Sequence, residues 1–148
     1  MTLGLELLPV EPRRYERTLV DKVFTSLLEQ KNPVIAEILF TLYSHKLLQS
    51  KQEMKIRLCL DEAIINAIKH GNDEDPGKKV RVQLFADGTR WSIRVEDEGE
   101  GFNPAGLPDP DREMSLLREG GRGILLMNEF MSRICYCGRG NVLYLFHD

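Results

Sequence analysis

The stretch Glu62-Ala-Ile-Ile-Asn66-Ala-Ile-Lys69-His70-Gly71-Asn72 decides how this chain is read, because it places polar side chains along an apolar helix. Apolar residues of the helix that contains this stretch recur at the spacing of one helical face, and they include Ile56, Leu60, Ala63, Ile64 and Ala67. On the opposite face Glu62, Asn66 and Lys69 follow one another at intervals of four and three, the spacing of stacked neighbours on an α-helix. The closing Gly-Asn pair predicts the end of the helix.

An acid, an amide and a cation in one column suit the chemistry of a phosphate group. The carboxylate of Glu62 can take a proton from a hydroxyl group or from water. The amide oxygen of Asn66 is a hard ligand for Mg²⁺, and the ammonium group of Lys69 can neutralise a phosphate oxygen. Taken alone, the segment fits a solvated helix face with one Glu–Lys contact at least as well.

A second motif, Asp97-Glu-Gly99-Glu-Gly101-Phe102, follows a predicted strand in which apolar and polar residues alternate. Continuing that alternation puts Asp97 on the apolar side of the strand. A buried carboxylate is costly unless a donor hydrogen-bonds to it, and the amino group of adenine is a suitable donor. Gly99 and Gly101 would let the backbone approach a ligand closely, and Phe102 would cover the pocket. An ordinary turn at the end of a strand is the alternative.

A third motif, Gly120-Gly121-Arg122-Gly123, precedes the apolar segment at residues 124–127. Glycines before a helix allow backbone N–H groups to point at a phosphate, and Arg122 would add positive charge. The motif lacks the spacing of a P-loop and of a dinucleotide-binding fingerprint. By itself it fits a flexible hinge equally well.

Composition limits the class of protein to a soluble globular domain. The 148 residues fit one domain, and a charged fraction of 29% with a net charge of −3 gives no general attraction to nucleic acid or to anionic lipid. No apolar run is long enough to cross a bilayer, and the first residues do not resemble a secretory signal. The cysteines, Cys59, Cys135 and Cys137, form no even framework, and they are interpreted as reduced thiols of a cytoplasmic protein.

The order of the predicted elements is helices first and antiparallel hairpins later. Residues 3–8 are expected to form a short edge strand, and three helices are expected at residues 15–29, 33–48 and 54–70. Strands are expected at residues 79–85 and 90–96, a mobile loop at 103–119, a helix at 123–131 and a last hairpin at 132–146. This order predicts an α+β fold, a two-layer sandwich in which a mixed, mostly antiparallel sheet carries helices on one face.

Together the three motifs resemble those of the GHKL (histidine-kinase-like) ATPase superfamily, whose Bergerat fold binds ATP between helices and a mixed sheet. Residues 62–66 look like its N box, residues 97–101 like its first glycine box, and residues 121–123 like its second. Within the superfamily the motifs look most like those of the small bacterial anti-sigma-factor serine/threonine kinases. The likeness covers residues 54–146 as a nucleotide-binding core of a single domain spanning residues 1–148, and residues 1–50 are divergent.

The resemblance implies a role for each site residue. Glu62 would be the general base, and Asn66 would bind Mg²⁺. Lys69 would contact phosphate, and Asp97 would read the adenine amino group. The remaining nucleotide-binding residues implied are Gly99, Gly101, Phe102, Gly121, Arg122 and Gly123.

The resemblance also implies partners. Kinases of this type phosphorylate a serine or threonine of a small anti-anti-sigma (STAS-like) protein, and in another state they bind a sigma factor. The alternative is a non-catalytic ATP-sensing module that regulates by binding alone. The apolar stripes of the N-terminal helices also suggest a homodimer.

Overall fold

The computed structural model describes residues 5–100 and 127–148, and in them a six-stranded mixed sheet is the organising element. Along the sheet the strands lie in the order β1-β5-β6-β4-β3-β2. They comprise β1 (Leu5–Leu8), β2 (Arg17–Thr25), β3 (Lys79–Asp87), β4 (Arg90–Glu96), β5 (Arg133–Cys137) and β6 (Val142–His147). Only the pairing of β1 with β5 is parallel among the described strands, so the predicted mixed, mostly antiparallel sheet is confirmed.

Two helices, α1 (Lys31–Ser44) and α2 (Glu53–Ile65), cover one face of the sheet and form the main core with it. Ile35, Ile38 and Leu42 of α1 are at most 1% exposed, as are Leu60 and Ile64 of α2. These helices pack on the strand residues that alternate toward them, which include Val82, Leu84, Trp91, Ile93 and Leu145. The predicted α+β sandwich with helices on one face is therefore confirmed.

The helix predicted at residues 15–29 is wrong, because most of this segment is the edge strand β2, paired antiparallel with β3. Val20 and Phe24 point into the core, and Lys22 between them is exposed and forms an ion pair with Glu37 of α1. The prediction rests on the helical spacing of Leu19, Val23, Leu27 and Leu28. In the strand Val23 is 57% exposed, and the buried residues are Val20 and Phe24. Because the polar Lys22 lies between them on the inward face, the sequence does not show the alternation of a strand.

The helix predicted at residues 54–70 changes its geometry before it ends. Regular α-helix stops at Ile65, and Asn66–Gly71 form a π-helical turn in which the backbone N–H of Asn72 donates to the carbonyl of Ala67 (2.9 Å). Asp73 and Glu74 then adopt left-handed backbone conformations, with φ of 53° and 55°. π-Helical turns are rare and recur at functional sites, and this one lies beside the predicted site residues.

The other face of the sheet is crossed by residues 9–16, which join β1 at one edge to β2 at the other. Here Arg94 is 4% exposed, and its Nε donates to the Glu11 carboxylate (2.6 Å). The hydroxyl of Tyr144 donates to the same carboxylate (2.8 Å). The Tyr15 ring meets that of Phe146 edge to face, at a centroid distance of 5.8 Å.

Several smaller expectations are also met. The short edge strand, the two central strands and the last hairpin are all present, and the helix predicted at residues 33–48 is α1, slightly displaced. Residues 127–130 are helical, and Met131 of the helix predicted at 123–131 is not. Residues 123–126 of that helix, and the loop predicted at 103–119, lie outside the described residues. The three cysteines are free and buried. None of the helices in the described ranges combines the length and apolar character needed to cross a membrane.

Candidate functional site

Asp97 lies directly after β4 and packs its carboxyl group against the end of the π-helical turn. A Cβ atom added to Gly71 would come within 2.7 Å of Asp97 Oδ1 and would overlap its Cγ and Oδ2 atoms. A Cβ atom added to Gly99 would overlap the carbonyl oxygen of Gly71. Only residues without a side chain allow these three backbone segments to meet. The helix that carries Glu62 and Asn66 is thereby joined to the turn that carries Asp97.

The carboxyl group of Asp97 accepts one backbone hydrogen bond and forms no ion pair with a described lysine or arginine. Its Oδ1 accepts a hydrogen bond from the Gly99 N–H (2.8 Å). Burial raises the pKa of Asp97 to about 6, and the Gly99 hydrogen bond and the more distant charge of Arg139 oppose that rise. A buried carboxyl group with one hydrogen bond is stabilised by a second hydrogen-bond donor. A neutral amino group of a ligand would supply that donor.

Asn72 closes a ring of three hydrogen bonds beside Asp97. Its Oδ1 accepts from the Glu98 N–H (2.8 Å), and its Nδ2 donates to the Lys79 carbonyl (2.9 Å). The Lys79 N–H in turn donates to Glu98 Oε1 (2.9 Å). Asn72 is completely buried. The ring ties together the end of the helix, the start of β3 and the turn that begins at Asp97.

Asn141, immediately before β6, holds the backbone of Asp97. Its Nδ2 donates to the Asp97 carbonyl (3.0 Å), and its own carbonyl accepts from the Asp97 N–H (3.0 Å). Both the N–H and the carbonyl of Asp97 are thus bonded to a single residue. We call Gly71, Asn72, Asp97, Gly99 and Asn141 the Asp97 corner.

Glu62 is half-buried near the end of α2, and its surroundings raise its pKa. Burial contributes most and the adjacent Asp61 also raises the pKa, while Lys31 and His70 act in the opposite direction. Lys31, the first residue of α1, forms an ion pair with Asp61. A carboxylate whose pKa is shifted upward is a better proton acceptor near neutral pH.

The predicted column of Glu62, Asn66 and Lys69 rests on α-helical spacing that does not extend past Ile65. Asn66 is the first residue of the π-helical turn and is half-buried, whereas Lys69 is exposed. Within residues 5–100 and 127–148 none of the three forms an ion pair or hydrogen bond through its side chain with another described residue. Their polar atoms are therefore not committed to that part of the chain.

No group of three or more acidic, histidine or cysteine side chains in the described ranges is arranged to hold a metal ion. A Mg²⁺ ion that enters with a nucleotide needs fewer protein ligands, because the phosphates and water complete its octahedron. The single amide oxygen of Asn66 fits that requirement and does not fit a permanently bound structural metal.

The remaining predicted site residues lie outside the described residues, and their roles stay predictions. They are Gly101, Phe102, Gly121, Arg122 and Gly123.

Sequence reasoning missed the structural importance of Asn72 and Asn141. It treated Gly71 and Asn72 as an ordinary helix end, and a helix-stop signal does not reveal that the asparagine side chain is buried. Both asparagines act through bonds to residues 7 to 44 positions away in the sequence. Only the three-dimensional packing discloses such pairs.

Comparison with protein families places most of this chain in one of them. The family described as histidine kinase-like ATPase domain matches residues 24–146. This range contains the π-helical turn and the Asp97 corner.

Individual relatives are more distant. The serine-protein kinase RsbW of Bacillus subtilis is 28% identical over 85 residues, which is 53% of this chain and 53% of that protein. The serine/threonine-protein kinase BtrW of Bordetella bronchiseptica is 32% identical over 85 residues, covering 55% of this chain and 58% of BtrW. The anti-sigma F factor of Anoxybacillus flavithermus is 28% identical over 87 residues, which is 54% of this chain and 56% of that protein. The chain thus spans about half the length of the curated relatives it matches.

Proposed function

This chain belongs to the histidine kinase-like ATPase domain family, and we propose that it binds ATP with Mg²⁺ and transfers the γ-phosphoryl group to a serine or threonine of a protein. The observation that carries the proposal is the Asp97 corner. A desolvated carboxyl group, unpaired with any described lysine or arginine, lies at the junction of two motifs that the sequence assigns to a nucleotide. An adenine amino group supplies the donor that this carboxyl group lacks.

The proposed reaction uses Glu62 as the proton acceptor. The hydroxyl oxygen of the substrate forms a bond to the γ-phosphorus, the bond from that phosphorus to the β,γ-bridging oxygen breaks, and ADP leaves. The hydroxyl proton passes to the Glu62 carboxylate. Such transfers depend mainly on positioning and on neutralising phosphate charge, tasks that we assign to Asn66 with Mg²⁺ and to Lys69.

The names of the relatives supply the proposed partners. Two of them are described as serine-protein or serine/threonine-protein kinases and one as an anti-sigma F factor. By analogy we propose that this chain phosphorylates a small anti-anti-sigma protein and binds a sigma factor in the cytoplasm. The homodimer suggested by the sequence stays part of this proposal, although the supposed first helix is a strand.

Phosphotransfer from γ-labelled ATP with Mg²⁺ into an extract of host cells tests the proposal. We expect a small labelled protein with the wild type, and a loss of labelling rate of about 10²–10⁴-fold in Glu62→Gln, the range typical of a general base. The variant should still bind ATP. Glu53→Gln, on the same helix in an exposed pair with Arg57, is the matched control and should label normally.

The same experiment distinguishes the alternative function. If the wild type binds ATP but labels no protein, a non-catalytic ATP-sensing module becomes the better account. If Glu62→Gln labels at the wild-type rate, Glu62 is not the base.

A further inference from the structure

We infer that Asn72 is a positioning residue for recognition of the nucleotide base, and that it sets the preference for adenine over guanine. The inference rests on the proposed function, because it assumes that Asp97 meets the base. It adds a residue to which the three sequence motifs assign no ligand contact.

Two backbone hydrogen bonds hold the Asp97 turn in place. The backbone N–H of Glu98, the residue next to Asp97, donates to Asn72 Oδ1 (2.8 Å). The Gly99 N–H donates to Asp97 Oδ1 (2.8 Å) and so fixes the carboxyl group relative to the same backbone. The direction of the carboxyl group is therefore coupled to Asn72 through one peptide unit.

Asn72 is itself tightly constrained. It is completely buried, and its Nδ2 is committed to the Lys79 carbonyl (2.9 Å) at the start of β3. Its backbone N–H bonds to Ala67 within the π-helical turn (2.9 Å). The two left-handed residues after it, Asp73 and Glu74, form a turn that sequence alone would not favour. Asn72 thus transmits the position of the helix end to the turn that carries Asp97.

The chemical consequence concerns the edge of the purine. An ionised carboxylate accepts a hydrogen bond from the 6-amino group of adenine, whereas it faces a second acceptor at the 6-oxo group of guanine. Discrimination of this kind depends on accurate placement, since a site built to bond one polar group rejects an analogue that cannot pair with it. A turn that moves freely would let the carboxylate avoid the guanine oxygen.

The test is calorimetric titration with Mg-ATP and Mg-GTP at pH 8, where Asp97 is ionised, in the wild type and in Asn72→Ala. The readout is the ratio of the two dissociation constants. Partial unfolding weakens both apparent affinities by the same factor, so the ratio does not respond to a purely structural defect. We expect the preference for ATP to fall by about tenfold in Asn72→Ala, as for the loss of one well-placed polar contact.

Two further variants complete the experiment. Asn72→Leu retains most of the side-chain volume but neither hydrogen bond, and it should lose the preference in the same way if Asn72→Ala does not fold. Gln83→Ala removes a buried amide on the opposite face of the sheet, where Gln83 bonds to Asp21 (3.3 Å) and Arg94 (3.2 Å). It is the matched control and should keep the wild-type ratio.

The outcomes separate this inference from the function beneath it. A wild-type ratio in folded Asn72→Ala or Asn72→Leu would overturn the role of Asn72, while ATP binding by the wild type would leave the proposed function standing. A wild type that binds no ATP would overturn both. A reduced ratio in the Asn72 variants, with Gln83→Ala unchanged, would support the inference.

Discussion

Glu11 and Asp97 are both carboxyl groups drawn partly out of water, but the balance between burial and hydrogen bonding shifts their pKa values in opposite directions. Glu11 receives hydrogen bonds from Arg94 and Tyr144 on the outer face of the sheet, and chiefly the Arg94 bond lowers its pKa. Asp97 lies on the helix side with one backbone donor to its carboxyl group, and burial raises its pKa to about 6. The Glu11 carboxyl group is hydrogen-bonded by two side chains of the protein. The Asp97 carboxyl group has one backbone donor and can accept a further hydrogen bond from a ligand.

This difference separates a structural carboxylate from a candidate functional one. Perturbed pKa values cluster at functional sites, but ion-pair networks also perturb them. Here the sign of the shift and its cause distinguish the two cases. Changes at the Asp97 corner should therefore alter nucleotide binding, and changes at Glu11 should alter stability.

The largest effect is expected from Gly71→Ala. The added methyl group would overlap the Asp97 carboxyl group, so the carboxyl group or the helix end has to move. A displacement of about 1 Å at a site can cost about a hundredfold, and we expect ATP affinity measured by calorimetry to fall by that order. Gly77→Ala in the nearby exposed turn, where the new methyl group would meet Asp75 Oδ1 at 3.2 Å, is the control. Equal affinities of the two variants would show that the corner does not contact the nucleotide.

Glu11→Ala is expected to have a smaller effect, on stability and not on nucleotide binding. The buried Arg94 would lose the shorter of its two carboxylate contacts and, among the described residues, keep Gln83 and Glu96 at 3.2 Å each. We expect the free energy of unfolding in urea to fall by about 1–3 kcal/mol, the cost of a lost charged hydrogen bond. ATP affinity should not change. Glu16→Ala, in the same connecting segment, should alter neither quantity, and a loss of ATP affinity in Glu11→Ala would break the distinction between the two regions.

The smallest effect is a pH dependence of opposite sign at the two carboxyl groups. The raised pKa of Asp97 contributes stability that is complete below 3.8 and is lost as the pH rises through about 6. The lowered pKa of Glu11 contributes stability that is complete above 4.5 and is lost as the pH falls.

Urea unfolding of the wild type, Asp97→Asn and Glu11→Gln between pH 4 and 7 measures both contributions. Relative to Asp97→Asn, the wild type should lose stability as the pH rises. Relative to Glu11→Gln, it should gain stability. Slopes of the same sign would contradict the electrostatic account.

The sequence predicted the fold well where local signals and packing agree. The strands around Trp91 and Ile134 alternate cleanly and were recognised, and so were α1 and α2. Prediction failed at β2 because the polar Lys22 lies on the inward face of this edge strand. The alternation of inward and outward residues is recognised only from the pairing of β2 with β3. The β-branched residues Thr18, Val20, Val23 and Thr25 were the local signal for a strand.

The candidate site was predicted less completely than the fold. Strand alternation correctly indicated that Asp97 faces the helices, since that inference needs only the pleat of one strand. The π-helical turn and the bonds made by Asn72 and Asn141 could not be inferred, because they depend on contacts between segments far apart in the sequence. The α-helical spacing assumed for Lys69 failed for the same reason.

The most direct test of the account is calorimetric titration of Mg-ATP at pH 8 into the wild type and Asp97→Asn, with urea unfolding of both proteins. The account predicts that Asp97→Asn binds ATP more weakly by about 1–3 kcal/mol, the value of one buried polar contact, with no loss in the free energy of unfolding. Unchanged ATP affinity in a folded Asp97→Asn protein would contradict the claim that Asp97 reads the base.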